Sequence, residues 1–216
     1  MKIDFHVHTH YSYDATIGPA DLARKSAKLG IIPVVVDHNT IASYKPMRSF
    51  DVPFVHGEEI GTDKGDLIGL YINEVIPKNT PFMEALDSIR EQGGIVYIPH
   101  MYDRRKKPLD EDLASKADII EIFNARCLIN KLNVKAKAFA DKKKMLQAAG
   151  SDSHFLFEFG STYTEIPDSD LENPKELLKA LKSATHVTRK APFFVRGITS
   201  LVSLGKKLFG ASTKHI

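Results

Sequence analysis

Residues 4–14, DFHVHTHYSYD, crowd three histidines and two aspartates into the start of an otherwise ordinary chain. Imidazole and carboxylate at this density are the donors of Zn, Mn and Fe sites, and carboxylates can also bridge two ions. In an extended strand alternate side chains share a face, so His6 and His8 point one way while Ile3, Phe5 and Val7 point the other. Two imidazoles one pleat apart can meet one ion. Asp152 and His154, in GSDSH, repeat the alternation, with a glycine beside them where backbone and metal need close approach. The mixture of donors leads to a polynuclear site. Cys127 is the sole cysteine, which excludes a disulfide framework and a thiolate cluster and fits a reducing compartment.

Donors spread over this much sequence need a scaffold that gathers them. Strand-like runs occur at 2–8, 31–37, 52–59, 66–72, 94–100, 118–124 and 146–152, and helical patterns at 18–30, 81–92, 130–143 and 174–183. In the first helix Pro19 suits the opening turn and Gly30 the left-handed stop. Residues 62–66, TDKGD, read as a tight turn between neighbouring strands. Such alternation predicts an α/β fold with a largely parallel sheet, doubly wound or closed into a barrel. At the C-terminal strand ends stand His6 and His8, Asp37 and His38, Glu58 and Glu59, His100, Glu121 and Asn124, and Asp152 with His154. In parallel folds those ends open on one face, where active sites are built. With 216 residues, 43% hydrophobic and 26% charged, the chain suits one compact domain, and a net charge of +3 is too mild to argue for nucleic acid. Its start lacks the apolar core of a signal peptide and no run reaches the length of a membrane span, so a cytoplasmic protein is expected.

The ordered series HxH, DH, GEE, PH, EIFN and GSDSH over residues 4–154 resembles the polymerase and histidinol phosphatase (PHP) superfamily of metal-dependent phosphoesterases. That resemblance implies a distorted (β/α)7 barrel with the active site at the C-terminal ends of its strands. It implies one metal on His6, His8, Glu58 and Asp152, with the glutamate bridging to a second held by His100. A further ligand of the second metal comes from Glu121, Asn124 or Cys127, with Glu121 favoured. A third ion falls to Asp14, His38 and His154, although many relatives carry the acid one residue earlier, where this chain has Tyr13. Glu59 adjoins Glu58 and faces the opposite way in a regular strand, so one of the two is expected to be a ligand.

Two or three divalent ions (Mn, Zn or Fe) would then hydrolyse phosphate esters through a metal-bound hydroxide, with no serine or cysteine nucleophile. A phosphate also wants cationic partners, for which Arg126, Arg104 and Arg105 are the candidates. Asp37 is the candidate for orienting the water, and His10 or Tyr102 for protonating the leaving group. A small-molecule phosphate ester is the expected substrate. A nuclease acting on DNA or RNA ends and a non-catalytic metal-binding regulatory protein are the alternatives. Residues 1–190 form the expected catalytic domain. The tail, 191–216, reads as an amphipathic helix packing Ile198, Leu201, Val202, Leu208 and Phe209 on that domain, with Lys206 and Lys207 opposite.

Overall fold

The computed structural model describes residues 1–103 and 108–209. Seven strands, β1 (Lys2–Val7), β2 (Ile31–His38), β3 (Val55–Gly61), β4 (Asp66–Leu70), β5 (Ile95–Ile98), β6 (Ile119–Asn124) and β7 (Leu146–Gly150), follow one another in space in chain order. β1, β2 and β3 pair in parallel, as do β5, β6 and β7. β4 runs antiparallel to both its neighbours. The 62–66 turn therefore closes a hairpin, in which Gly61 faces Asp66.

Helices α1 (Pro19–Leu29), α2 (Tyr44–Arg48), α3 (Phe82–Glu91), α4 (Glu111–Ala114), α5 (Asn130–Lys143) and α6 (Pro174–Ala180) punctuate the strands. α1 begins on Pro19 and ends where Gly30, at φ 63°, returns its N–H to the Ser26 carbonyl. α3 buries Phe82, Ala85, Leu86 and Ile89, the spacing of one helical face, against Ile60, Leu67, Val96 and Ile98. A second apolar cluster is built on Ile3, Phe5, Val36, Ile68 and Tyr97, and Leu177 of α6 and Leu181 join it.

The barrel comes within a short seam of closing. Two strands not foreseen from sequence, β8 (Tyr163–Glu165) and β9 (Thr185–Val187), form an antiparallel pair whose first member takes the Lys2 and Ile3 end of β1. That leaves the Val7 end of the same edge for the chain leaving β7. There Val7 bridges Ser153, the His8 N–H donates to the Ser153 carbonyl at 2.9 Å, and the Ser153 N–H donates to the His6 carbonyl at 3.2 Å. Asp4 pins the same seam from inside: its carboxylate accepts from the N–H groups of Ser151 at 2.8 Å and Gly160 at 3.0 Å. Burial pushes that carboxyl up to about 7 despite those donors.

Gly150 permits the close approach. A Cβ there would strike the His6 Cβ and lie 2.8 Å from Glu121 Oε1 and 2.9 Å from the His6 nitrogen. The glycine thus makes room for a neighbouring strand. Gly150→Ala is expected to cost about 1–3 kcal/mol through overpacking, read as a lower midpoint in thermal or urea unfolding. A variant as stable as the parent would show that the seam can open at no cost.

Candidate metal centre

The strand ends bring together a cluster whose hub is the Glu59 carboxylate, 1% exposed. His38 Nδ1 lies 2.9 Å from its Oε2, and the Nε2 atoms of His8 and His6 lie 3.4 and 3.6 Å from the same oxygen. On the other side, His100 Nε2 lies 3.0 Å from Oε1. Asp152 Oδ1 stands 3.3 Å from His8 Nε2 and 3.7 Å from His6 Nε2, which are themselves 3.1 Å apart.

These separations match an ion-sized hole. Four ligands about 2.0–2.1 Å from a tetrahedral ion stand roughly 3.4 Å from one another. The five edges above, among His6, His8, Glu59 and Asp152, run from 3.1 to 3.7 Å. A second group, Glu59, Asp66 and His100, and a third, His8, His38 and His154, each hold their donor atoms within 4.8 Å of one another. Asp14 closes the third, with Oδ2 at 3.2 Å from His154 Nε2 and Oδ1 at 3.5 Å from His38 Nε2. Asp14 Oδ1 and Glu59 Oε2 are buried with imidazole nitrogens for neighbours and no well-directed hydrogen bond, the setting of an oxygen that a cation would satisfy. The donor set fits divalent transition ions.

The outer partners fix which imidazole nitrogen offers its lone pair. His6 Nδ1 donates to Glu121 Oε1 at 3.0 Å, which turns Nε2 toward the cluster. Ser12 Oγ gives its own proton to Asp37 Oδ1 at 2.6 Å, so it accepts from His8 Nδ1 at 3.3 Å and leaves Nε2 bare. His154 Nδ1 donates to the Asp152 carbonyl at 2.9 Å with the same result. Asp152 sits at φ 53°, a left-handed conformation that is strained for a residue other than glycine.

Charge alternates through the cluster. Burial opposes charge on Glu59 and Asp152, yet the surrounding imidazoles hold both carboxyls well below the usual range. Asp14 is likewise lowered, by His154 and His38 against its own burial. Burial also opposes protonation of His38, but Glu59 and Asp14 hold it up to about 10. His6 is raised well above normal because Asp152 and Glu121 outweigh burial. His8, buried and next to His38 and His154, is pushed down to about 3, the neutral form that binds metal.

Several sequence expectations need correction. Glu58 faces away from the cluster: its Oε2 accepts from the Ile76 N–H at 2.9 Å and burial raises its carboxyl to about 7. The two glutamates do face opposite ways, and Glu59 is the one that faces in. Glu121 stands behind His6 and also accepts from the His100 N–H at 2.7 Å. Asn124 donates to Glu121 and Asp152, and the Cys127 thiol turns to the Ile129 carbonyl. Asp37 spends both oxygens on Thr9 and Ser12, which makes it a support for His8. His10 is exposed and packs its ring on Tyr11, and the Tyr102 hydroxyl donates to Glu111. Arg126 is buried in a two-pronged ion pair with Glu158, at 2.9 and 2.7 Å, and its third prong reaches Thr199. Arg104 and Arg105 lie outside the described residues.

Asp66 and Glu158 were not singled out from sequence. Asp66 opens β4, and because that strand is antiparallel its N-terminal end lies at the mouth; the 62–66 turn carried that signal. Glu158 accepts from the N–H groups of His154 and Phe155, and only the tertiary fold reveals its role. Over the cluster lies a cavity of about 130 Å³ walled by Tyr13, Asp103, Arg126 and Thr199.

A family model described as PHP-associated matches residues 130–185. The uncharacterized protein MJ0417 of Methanocaldococcus jannaschii is 36% identical over 205 residues, covering 88% of this chain and 83% of its own. A two-domain Bacteroides vulgatus protein containing a predicted PHP-like metal-dependent phosphoesterase superposes with a TM-score of 0.73 at 16% identity, over 88% of this chain and 65% of that longer one. PsfC of Pseudomonas syringae superposes with a TM-score of 0.67 at 15% identity, over 96% and 98% of the two chains. The last two likenesses establish the fold.

The cluster predicts a contrast between adjacent glutamates. After loading with Mn or Zn and desalting, Glu59→Gln is expected to lose bound metal, whereas Glu58→Gln keeps the parental content by plasma mass spectrometry. Equal retention in both variants would remove Glu59 from the centre.

Proposed function

The chain belongs to the PHP superfamily, and on that footing we propose that it is a metal-dependent hydrolase of small phosphate esters. The observation that carries the reading is the convergence of imidazoles and carboxylates on Glu59 at an ion's spacing, in the mouth of the barrel. His6, His8, Glu59 and Asp152 would hold one divalent ion, Glu59, Asp66 and His100 a second, and Asp14, His38 and His154 a third. Mixed nitrogen and oxygen donors suit Mn, Zn or Fe. Bound divalent cations supply Lewis acidity and an activated water at neutral pH.

The chain's own residues supply position. Glu121 and the pair Ser12 and Asp37 orient His6 and His8 with Nε2 toward the cluster; His8 is already neutral, and a cation arriving at His6 takes the place of the proton that Asp152 and Glu121 favour there. Arg126, held flat by Glu158, offers the cavity wall its remaining N–H groups for a phosphoryl oxygen. Hydrolysis joins a water oxygen to phosphorus, breaks the ester P–O bond and leaves the alcohol with the proton. A second cavity of about 310 Å³ shares Tyr13 and His38 with the first and is lined by Asn39, Lys64 and Lys78, which suits a small polar leaving group.

Phosphate release from an aryl phosphate and a nucleotide panel with added Mn is the test. Turnover is expected, with loss of measurable activity in His8→Ala and a fall of about 10–100-fold in Glu121→Gln. Shortening of oligonucleotides without release of phosphate from small esters would move the assignment to a nuclease. Full metal content with no turnover on either substrate class would sink the hydrolase reading.

A further inference from the structure

The last described helix, α7 (Val195–Phe209), is built inside out. In a globular protein the apolar stripe of a surface helix faces the core and the polar face meets water. Here polar side chains face in. Lys206 Nζ donates to the carbonyls of His10, Ser12 and Ala15 at 2.8, 2.7 and 2.6 Å, Thr199 receives Arg126, and Arg196 bonds the Arg126 carbonyl and Asp103. Apolar side chains face out: Leu201 is 69% exposed, Leu208 63% and Leu204 53%. Of the face expected to pack on the domain, Ile198, Leu201 and Leu208 are exposed and Val202 is half-buried, while Lys206, expected on the outer side with Lys207, faces in; Val195 at the start of the helix is buried. The three polar anchors lie along the helix, so the apolar stripe cannot roll inward without breaking them.

Surface chemistry around the stripe selects its occupant. Phe193, 85% exposed, and Phe194 extend the apolar face at the head of the helix. Phe193 and Leu128, itself exposed, line a common cleft. Between Arg189 and Leu208 the sequence holds five basic side chains and no acidic one. Arg196 is paired with Asp103 and Lys206 is turned inward, which leaves Arg189, Lys190 and Lys207 at the surface. Leucine and phenylalanine on one side with exposed cations beside them are the composition of a helix that lies in a lipid–water interface. A partner protein surface would need acidic groups to meet the lysines, and anionic headgroups provide them as a continuous sheet. No helix among the described residues is long and apolar enough to cross a membrane, so the contact is peripheral.

We propose that the protein docks on anionic lipid bilayers through the outward face of α7, from Phe193 to Leu208. Because Lys206 and Thr199 on the inward face touch the 10–15 segment and Arg126, docking sets the mouth of the metal centre beside the lipid surface.

Co-sedimentation of the full chain with vesicles tests this without metal or turnover. Binding is expected to vesicles of phosphatidylcholine mixed with phosphatidylglycerol, to weaken with salt, and to be about tenfold weaker on phosphatidylcholine alone. Leu201→Glu with Leu208→Glu is expected to lower binding at least about tenfold, and Lys207→Glu about fivefold, with thermal unfolding unchanged because these side chains are exposed. Binding that ignores the double glutamate variant, or its absence on anionic vesicles, overturns the proposal. So does a lipid-free dimer, by light scattering, that the double variant dissolves, since a second copy would then be the occupant.

Discussion

A single buried carboxylate organises this molecule. Glu59 is shut away from water with the imidazoles of His6, His8, His38 and His100 around it, and burying such a charge is costly unless it is matched. Imidazoles can match it with protons, and divalent ions match it better, because one cation neutralises several donors at once. The same oxygen atoms reach toward two groups of nitrogen donors, which is why the proposed centre places Glu59 between its ions. Everything that keeps β1 to β5 in register keeps those partners at hand.

The barrel seam is the second requirement. His6 and His8 ride on β1, while Asp152 and His154 follow β7, and those strands meet only over the last residues before the site. β8 occupies the lower half of the β1 edge, so the distortion of the barrel and the assembly of the centre have one cause. Asp4 and Gly150 serve that seam, the first by bonding across it and the second by leaving room. Asp37, Ser12 and Glu121 act one layer further out, where they choose nitrogen tautomers.

α7 links this interior to the surface. Its inward lysine gathers three carbonyls of the segment that follows the histidine pair, and its outward leucines meet solvent. A helix held by its polar side has its apolar side left for something outside the domain. An anionic bilayer meets both the apolar stripe and the cations beside it.

The seven principal strands, the side on which most of their ends open and most of the clustered side chains were legible in the sequence, because side-chain alternation and strand ends are local properties; the barrel itself came only from the family resemblance. Period two placed His6 with His8, and the glycine at position 30 stopped α1 as its left-handed φ requires. The choice between Glu58 and Glu59 was not local: either glutamate satisfies the alternation, and only the Ile76 N–H that bonds one and the imidazoles that surround the other decide. Asp66 escaped because a rule about C-terminal strand ends inverts in the antiparallel β4. The direction of Arg126 was not legible, because Glu158, 32 residues away in sequence, is what holds its guanidinium. The face that α7 turns inward was likewise beyond sequence, since periodicity defines two faces and says nothing of which one finds carbonyls to bind. The chain by itself determined which groups are available and on which side of each strand or helix they lie; the tertiary structure decided which of those sides meet, because that depends on neighbours brought from elsewhere in the chain.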